Sequence, residues 1–221
     1  MPDFILLFLN NEDVLERDFE PDFYRLLGDL CEMRAEHKSR GVVDVAMAQK
    51  AQRLVNELDA WQPNISEWSS TEYPTGLTHV KGTEDYPHRL VWLAGVWMFK
   101  YTARILSTDI LIEWARSQLA YSSQFYVTAA LDEAILRQEV LFRELKQSIN
   151  YYLERFGELT SAVRTAGGYA LLWPLYVLSM SSSTTMETVT WIEKQAKRVA
   201  EDFGIRQGKV MAEFLRTFIR T

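Results

Sequence analysis

Few residues in this chain have the type and spacing to bind a metal or act as nucleophiles. His37, His79 and His88 lack the HExxH spacing that sets two imidazoles on one helical face. The one cysteine, Cys31, can form neither an internal disulfide nor a cysteine-rich metal cluster. Gly167-Gly168 has no preceding strand and no following Lys-Ser/Thr, so it is not a phosphate-cradling loop. Ser179 to Ser183 has no GxSxG frame and reads as a polar turn rather than a nucleophile elbow. Asp109, Glu113, Asp132 and Glu133 could come within reach of one another in a helical fold, yet the DDxxD-type cluster that a helical isoprenoid enzyme needs for its metal is missing. A non-enzyme is expected, with no cofactor and no metal.

Charge points the same way. The net charge is −6, and residues 1–60, with 13 acidic and 7 basic side chains, carry all of it. Affinity for nucleic acid is largely a count of neutralised phosphates, so direct DNA binding by this chain is not expected. The longest apolar run, Leu90 to Phe99, has ten residues and is too short to cross a bilayer. The early run Phe4 to Leu9 follows Asp3 and precedes Asn10, Asn11, Glu12 and Asp13, which is not the pattern of a secretory leader. With its lone cysteine the chain reads as intracellular.

The elements that would position any site are helical. At 221 residues, 48% hydrophobic and 13% aromatic, the chain can bury a sizeable core, and its rings either fill that core or line a groove. The fold class is all-α: a multi-helix globular domain of packed antiparallel helices with one long irregular loop near residues 62–87. Residues 1–221 form a single domain, with a subdivision into 1–61 and 88–221 left open. Phe23, Leu26, Leu27, Leu30 and Cys31 keep a helical period after Pro21, and Val45, Ala48, Leu54, Val55 and Leu58 repeat it, giving an antiparallel hairpin that ends at Trp61. The stretch Gln62 to Pro87 is either packed down by Trp68 and Tyr73 or mobile. Leu90 to Tyr101 is apolar on every side and belongs at the centre. A further helix starts at a cap on Ser107 or Thr108 and runs to about Leu119. Leu131, Ile135, Gln138, Phe142, Leu145, Ile149 and Tyr152 then form one long stripe, buried either in this chain or in a partner. Glu133 with Arg137 and Glu139 with Arg143 are i,i+4 pairs on the exposed flank.

The stretch Gly167 to Trp191 organises the C-terminal half. Two glycines give turn freedom, and the uncharged run from Tyr169 to Leu178 fits a buried helix of about ten residues, opened or kinked near Pro174. Ser181 to Ser183 form a polar turn, and Thr184 with Glu187 makes a capping box. Val189, Ile192, Ala196, Val199 and Phe203 share one face of the next helix, which Gly204 stops.

The ordered set Gly167-Gly168, Trp173-Pro174-Leu175, a polar turn, Trp191-Ile192 and a last helix with Phe214, Leu215 and Phe218 resembles the C-terminal regulatory domain of fungal binuclear zinc cluster transcription factors. It is best over Arg164 to Thr221, weaker from Pro87 to Arg155 and indistinct before Pro63. It implies a nuclear, non-catalytic domain that controls a separate six-cysteine DNA-binding module and answers to a small-molecule effector, a protein partner or a homodimer. Gly167, Trp173, Pro174, Leu175 and Trp191 would have structural roles. Trp97, Tyr169 and Tyr176 are the rings expected to meet an effector or partner. The six-cysteine cluster itself is not in this sequence, which is then read as a fragment or as a relative without its DNA-binding end. The rival classes are a stand-alone protein-interaction module and a small-molecule binding protein or enzyme with an aromatic-lined cavity.

Overall fold

A computed structural model describes residues 21–62, 86–121, 125–156 and 161–219. The run Phe4 to Leu9 and nearly all of the irregular stretch after Gln62, with Trp68, Tyr73 and His79, lie outside the described residues; the side chain of His88 does too. The described residues form an all-α globular fold of seven helices.

Helices α1 (Pro21–Arg40) and α2 (Val45–Ala60) are the expected hairpin. Asp22 in the first turn of α1 and His37, Lys38 and Arg40 in its last complement the helix dipole. Asp44 caps α2 by accepting from Met47 N–H at 2.8 Å. Arg25 pairs with Glu57 at 2.7 Å and Lys50 with Glu36 at 2.8 Å, so partners early in one helix are late in the other and the two run antiparallel. Trp61 closes the hairpin with its ring stacked 4.3 Å from that of Phe23.

Helix α3 (Tyr86–Tyr121) is unbroken, which corrects the helix start expected at Ser107 or Thr108. Both residues are fully buried in mid-helix, and Ser107 Oγ donates to the Ala103 carbonyl of the turn below at 2.9 Å. Being apolar around its circumference, α3 packs against α1, α2, α4 and α5 and is the axis of the molecule; α4 spans Phe125–Phe156 and α5 spans Ser161–Met180. The α4 stripe is buried within the chain through Gln138, Phe142, Leu145, Ile149 and Tyr152, with Leu131 and Ile135 half-buried.

Gly167 and Gly168 do not open a helix; they lie inside α5, which is 20 residues long and carries Pro174 within it. Their role is close approach. A Cβ on Gly167 would sit 2.9 Å from the Tyr152 hydroxyl of α4, and one on Gly168 would sit 2.5 Å from Ile205 Cδ1 and 2.8 Å from Phe203 Cβ. Helices α6 (Met186–Phe203) and α7 (Arg206–Ile219) complete the fold. Ile192, Ala196, Val199 and Phe203 are buried on the expected face of α6 while Val189 is half-buried. Gly204 ends α6 at φ 70°, a left-handed conformation that a side chain would strain. The α6 cap is one residue later than expected: Thr185 accepts from Thr188 N–H, and Thr184 instead donates its hydroxyl to the Leu178 carbonyl. One hydrophobic core runs from Phe23 to Leu215.

Candidate functional site: a polar knot beneath a basic groove

The serine turn between α5 and α6 is held from below by Asp109 of α3. Its Oδ1 accepts from Ser181 Oγ at 2.8 Å, Ser182 Oγ at 2.9 Å, Ser182 N–H at 3.1 Å and Gln138 Nε2 of α4 at 2.9 Å. Gln138 also donates to Ser181 Oγ at 3.1 Å, and its carbonyl accepts from Ser183 Oγ. Asp109, Gln138 and Ser181 are buried, so the knot replaces the water that these groups would otherwise need and joins α3, α4 and the turn. Its members come from three distant parts of the chain. Gln138, a polar residue in an otherwise apolar stripe, was the one local sign of it.

Above the knot, α4 and α6 make no broad contact, and a groove of about 520 Å³ opens between them. Its α4 wall carries Glu139, Phe142, Arg143, Lys146 and Asn150, which recur at helical spacing along one face. Arg116 of α3 closes one side; Ser183, Thr185, Thr188 and Trp191 close the other. Lys146 spans the opening: Nζ donates to Thr188 Oγ1 at 2.9 Å and lies 5.5 Å from the centre of the Trp191 ring. Burial lowers the Lys146 pKa, and the charge of Glu187 partly opposes that shift. Among the described residues, Arg116 and Arg143 have no carboxylate partner. Glu139 and Arg143, read from the sequence as a surface ion pair, face this groove instead. The first turn of α6 also ends here, with the N–H groups that a helix start leaves without intrahelical acceptors.

The rings and small residues singled out in the sequence have different settings. Trp191 borders the groove and is half-buried. Pro174 and Leu175 are buried in α5, and Gly167 is buried against Tyr152. Trp173 is half-buried rather than enclosed, because it shares a face with Tyr169, Tyr176 and Met180 at spacings of four, three and four; Tyr176 is 47% and Met180 56% exposed. The Trp173 and Tyr176 rings stack 5.9 Å apart. Trp97 is on α3, 6.2 Å from the Tyr101 ring and 5.0 Å from the Lys100 ammonium. None of Trp97, Tyr169 and Tyr176 lines the groove. The groove residues were hidden because Arg143 and Lys146 meet Thr188 and Trp191 only through the fold.

No protein family, curated protein or solved structure was found to match the chain. Among the described residues no helix is long and apolar enough to cross a membrane, and no group of three or more His, Cys, Asp or Glu is placed to hold a metal ion.

Proposed function

We propose that this chain is a non-catalytic regulatory domain of the kind that fungal zinc-cluster transcription regulators carry beside their DNA-binding module, acting in the nucleus through an effector or a protein partner. The observation that carries the reading is how the residues of the shared pattern are used. The glycine pair lets α5 approach Tyr152, Phe203 and Ile205, and the serine turn that follows is locked to Asp109 and Gln138. The pattern is thus a packing hub. It links four helices beside an open groove, an arrangement suited to passing a binding event on to an attached module.

The reading is tested by placing the chain between a heterologous DNA-binding module and an activation segment in a yeast reporter. Output should differ from that of an inert spacer of equal length, and Gly168→Leu, which blocks the approach of α5 to Phe203, should abolish the difference. Output equal to the spacer's would reject the reading. The chain alone should leave a CGG-containing duplex unshifted at about 0.15 M salt. The groove itself favours a second reading, a stand-alone small-molecule binding protein, which the same reporter separates from the first.

A further inference from the structure

We infer that the groove between α4 and α6 is a binding site for a small organic anion, a carboxylate or phosphate ester borne on a flat apolar body. The inference rests on the effector-responsive reading above and names the effector's chemistry. Three cations, Arg116, Arg143 and Lys146, converge on a volume of about 520 Å³, in the range of small-molecule pockets. Two of them lack a carboxylate partner among the described residues, and the third is engaged only by a hydroxyl and a ring face. The opposing charges are Glu139 on the α4 wall and Glu187 in the first turn of α6, which leave an excess of one positive charge. A guanidinium binds the two oxygens of a carboxylate or phosphate side by side, which a lone ammonium cannot do. The Thr185 and Thr188 hydroxyls bond each other at 3.1 Å, which leaves one of the two free to donate at the same end, where the dipole of an 18-residue helix also favours negative charge.

The rest of the groove sets the body of the ligand. Phe142 and Ile135 on α4 and the Trp191 ring on α6 provide apolar surface, which excludes a bare inorganic ion as the best fit. Below them Ser183 joins the groove to the knot, since its hydroxyl donates to Gln138 while Gln138 holds Asp109. An anion in the groove therefore shares its lining with Ser183, which bonds the buried contacts that fix the turn between α5 and α6. Occupancy has a direct route to that turn.

The test is calorimetric titration of the whole chain with phenyl phosphate, benzoate, inorganic phosphate and the neutral benzamide, followed by Trp fluorescence. One or both aryl anions should bind, with benzamide weaker by about tenfold or more for want of the charge that the guanidinium pairs with, and inorganic phosphate weaker by about tenfold or more for want of the apolar ring. Which aryl anion wins separates a phosphate site from a carboxylate site. Arg143→Gln, at an exposed position that leaves packing intact, should weaken binding by about tenfold, while Arg53→Gln on exposed α2 should leave it unchanged. Equal affinity for benzamide, no binding of either aryl anion, or no effect of Arg143→Gln would each overturn the inference. Binding without any reporter difference would leave the groove standing and reject the regulatory reading; a reporter difference without binding would do the reverse.

Discussion

Helix α3 buries one residue of each charge about two and a half turns apart, and the two are treated very differently. Asp109, 8% exposed, receives four hydrogen bonds on one oxygen from α4 and the serine turn. Lys100, 5% exposed, gives one, to the Trp61 carbonyl at the end of α2 at 2.5 Å, and lies between the Trp61 and Trp97 rings at 5.8 and 5.0 Å. Each ties an outer part of the molecule to the axis. The difference is in the matching: the carboxylate has traded water for donors, whereas the ammonium has traded most of its water for ring faces and sits near the cation of Arg104. A matched charge makes a rigid joint, and a poorly matched one makes a joint that pH can adjust.

The largest test of this contrast is at the matched end. Asp109→Ala leaves the buried Ser181 hydroxyl and both donors of Ser182 without their acceptor, takes one of the Gln138 amide's acceptors, and should cost about 3–5 kcal/mol in denaturant unfolding. Asp109→Asn keeps an oxygen in place and should cost only about 1–2 kcal/mol. A loss under about 1 kcal/mol for Asp109→Ala would show that the turn is held by packing rather than by the knot.

At the other end the sign of the pH effect is fixed by Lys100. Burial, then the charge of Arg104, lowers its pKa from 10.5 to about 8, with Asp59 opposing. Below about 8 both folded and unfolded chains carry the proton and the penalty for the buried charge is fully present. Between about 8 and 10.5 the unfolded chain still binds a proton that the folded chain has released, so stability rises with pH through that window. Relative to Lys100→Met, wild type should gain on the order of 3 kcal/mol across it, at 1.36 kcal/mol per unit. Parallel stability curves for the two proteins would show that the rings and Asp59 compensate the charge after all.

How much of this was legible depends on the range of the signals. The α1–α2 hairpin, the α4 stripe and the core face of α6 follow from periodicity, because each helix needs only an apolar face to be placed on a core. The run Ser107-Thr108-Asp109 misled for the same reason: locally, three small polar residues mark a helix start, and what makes burying Asp109 in mid-helix tolerable is donors from serines 72 and 73 positions away, while Ser107 bonds back to the Ala103 carbonyl. Gly167-Gly168 likewise looks like a turn until Tyr152 and Phe203 are seen to need the space. The groove combines residues more than 40 positions apart, as in the Lys146–Thr188 bond, and no local rule brings those together.

The smallest expected effect separates the knot from the helix it introduces. Thr185 is the N-cap of α6, accepting from Thr188 N–H, whereas Thr184 and Glu187 had the form of the cap in the sequence. Thr185→Ala should therefore cost about 1 kcal/mol, as the loss of a cap does. Glu187→Ala, at an exposed position, loses its interaction with the helix dipole and its solvent-screened attraction for Lys146 and should cost about 0.5 kcal/mol at low salt. Both are read by urea unfolding beside Asp109→Asn. The turn and the cap share the residues just before α6, so a double variant tells whether they act as one unit. If the knot alone sets the turn, Asp109→Asn and Thr185→Ala add; if the cap also positions Ser181 and Ser182 for Asp109, the double variant departs from additivity by more than about 0.5 kcal/mol. Additivity would confine the matched joint to Asp109, Gln138 and the serines. Coupling would extend it into the first turn of α6, where Thr185 and Thr188 border the groove.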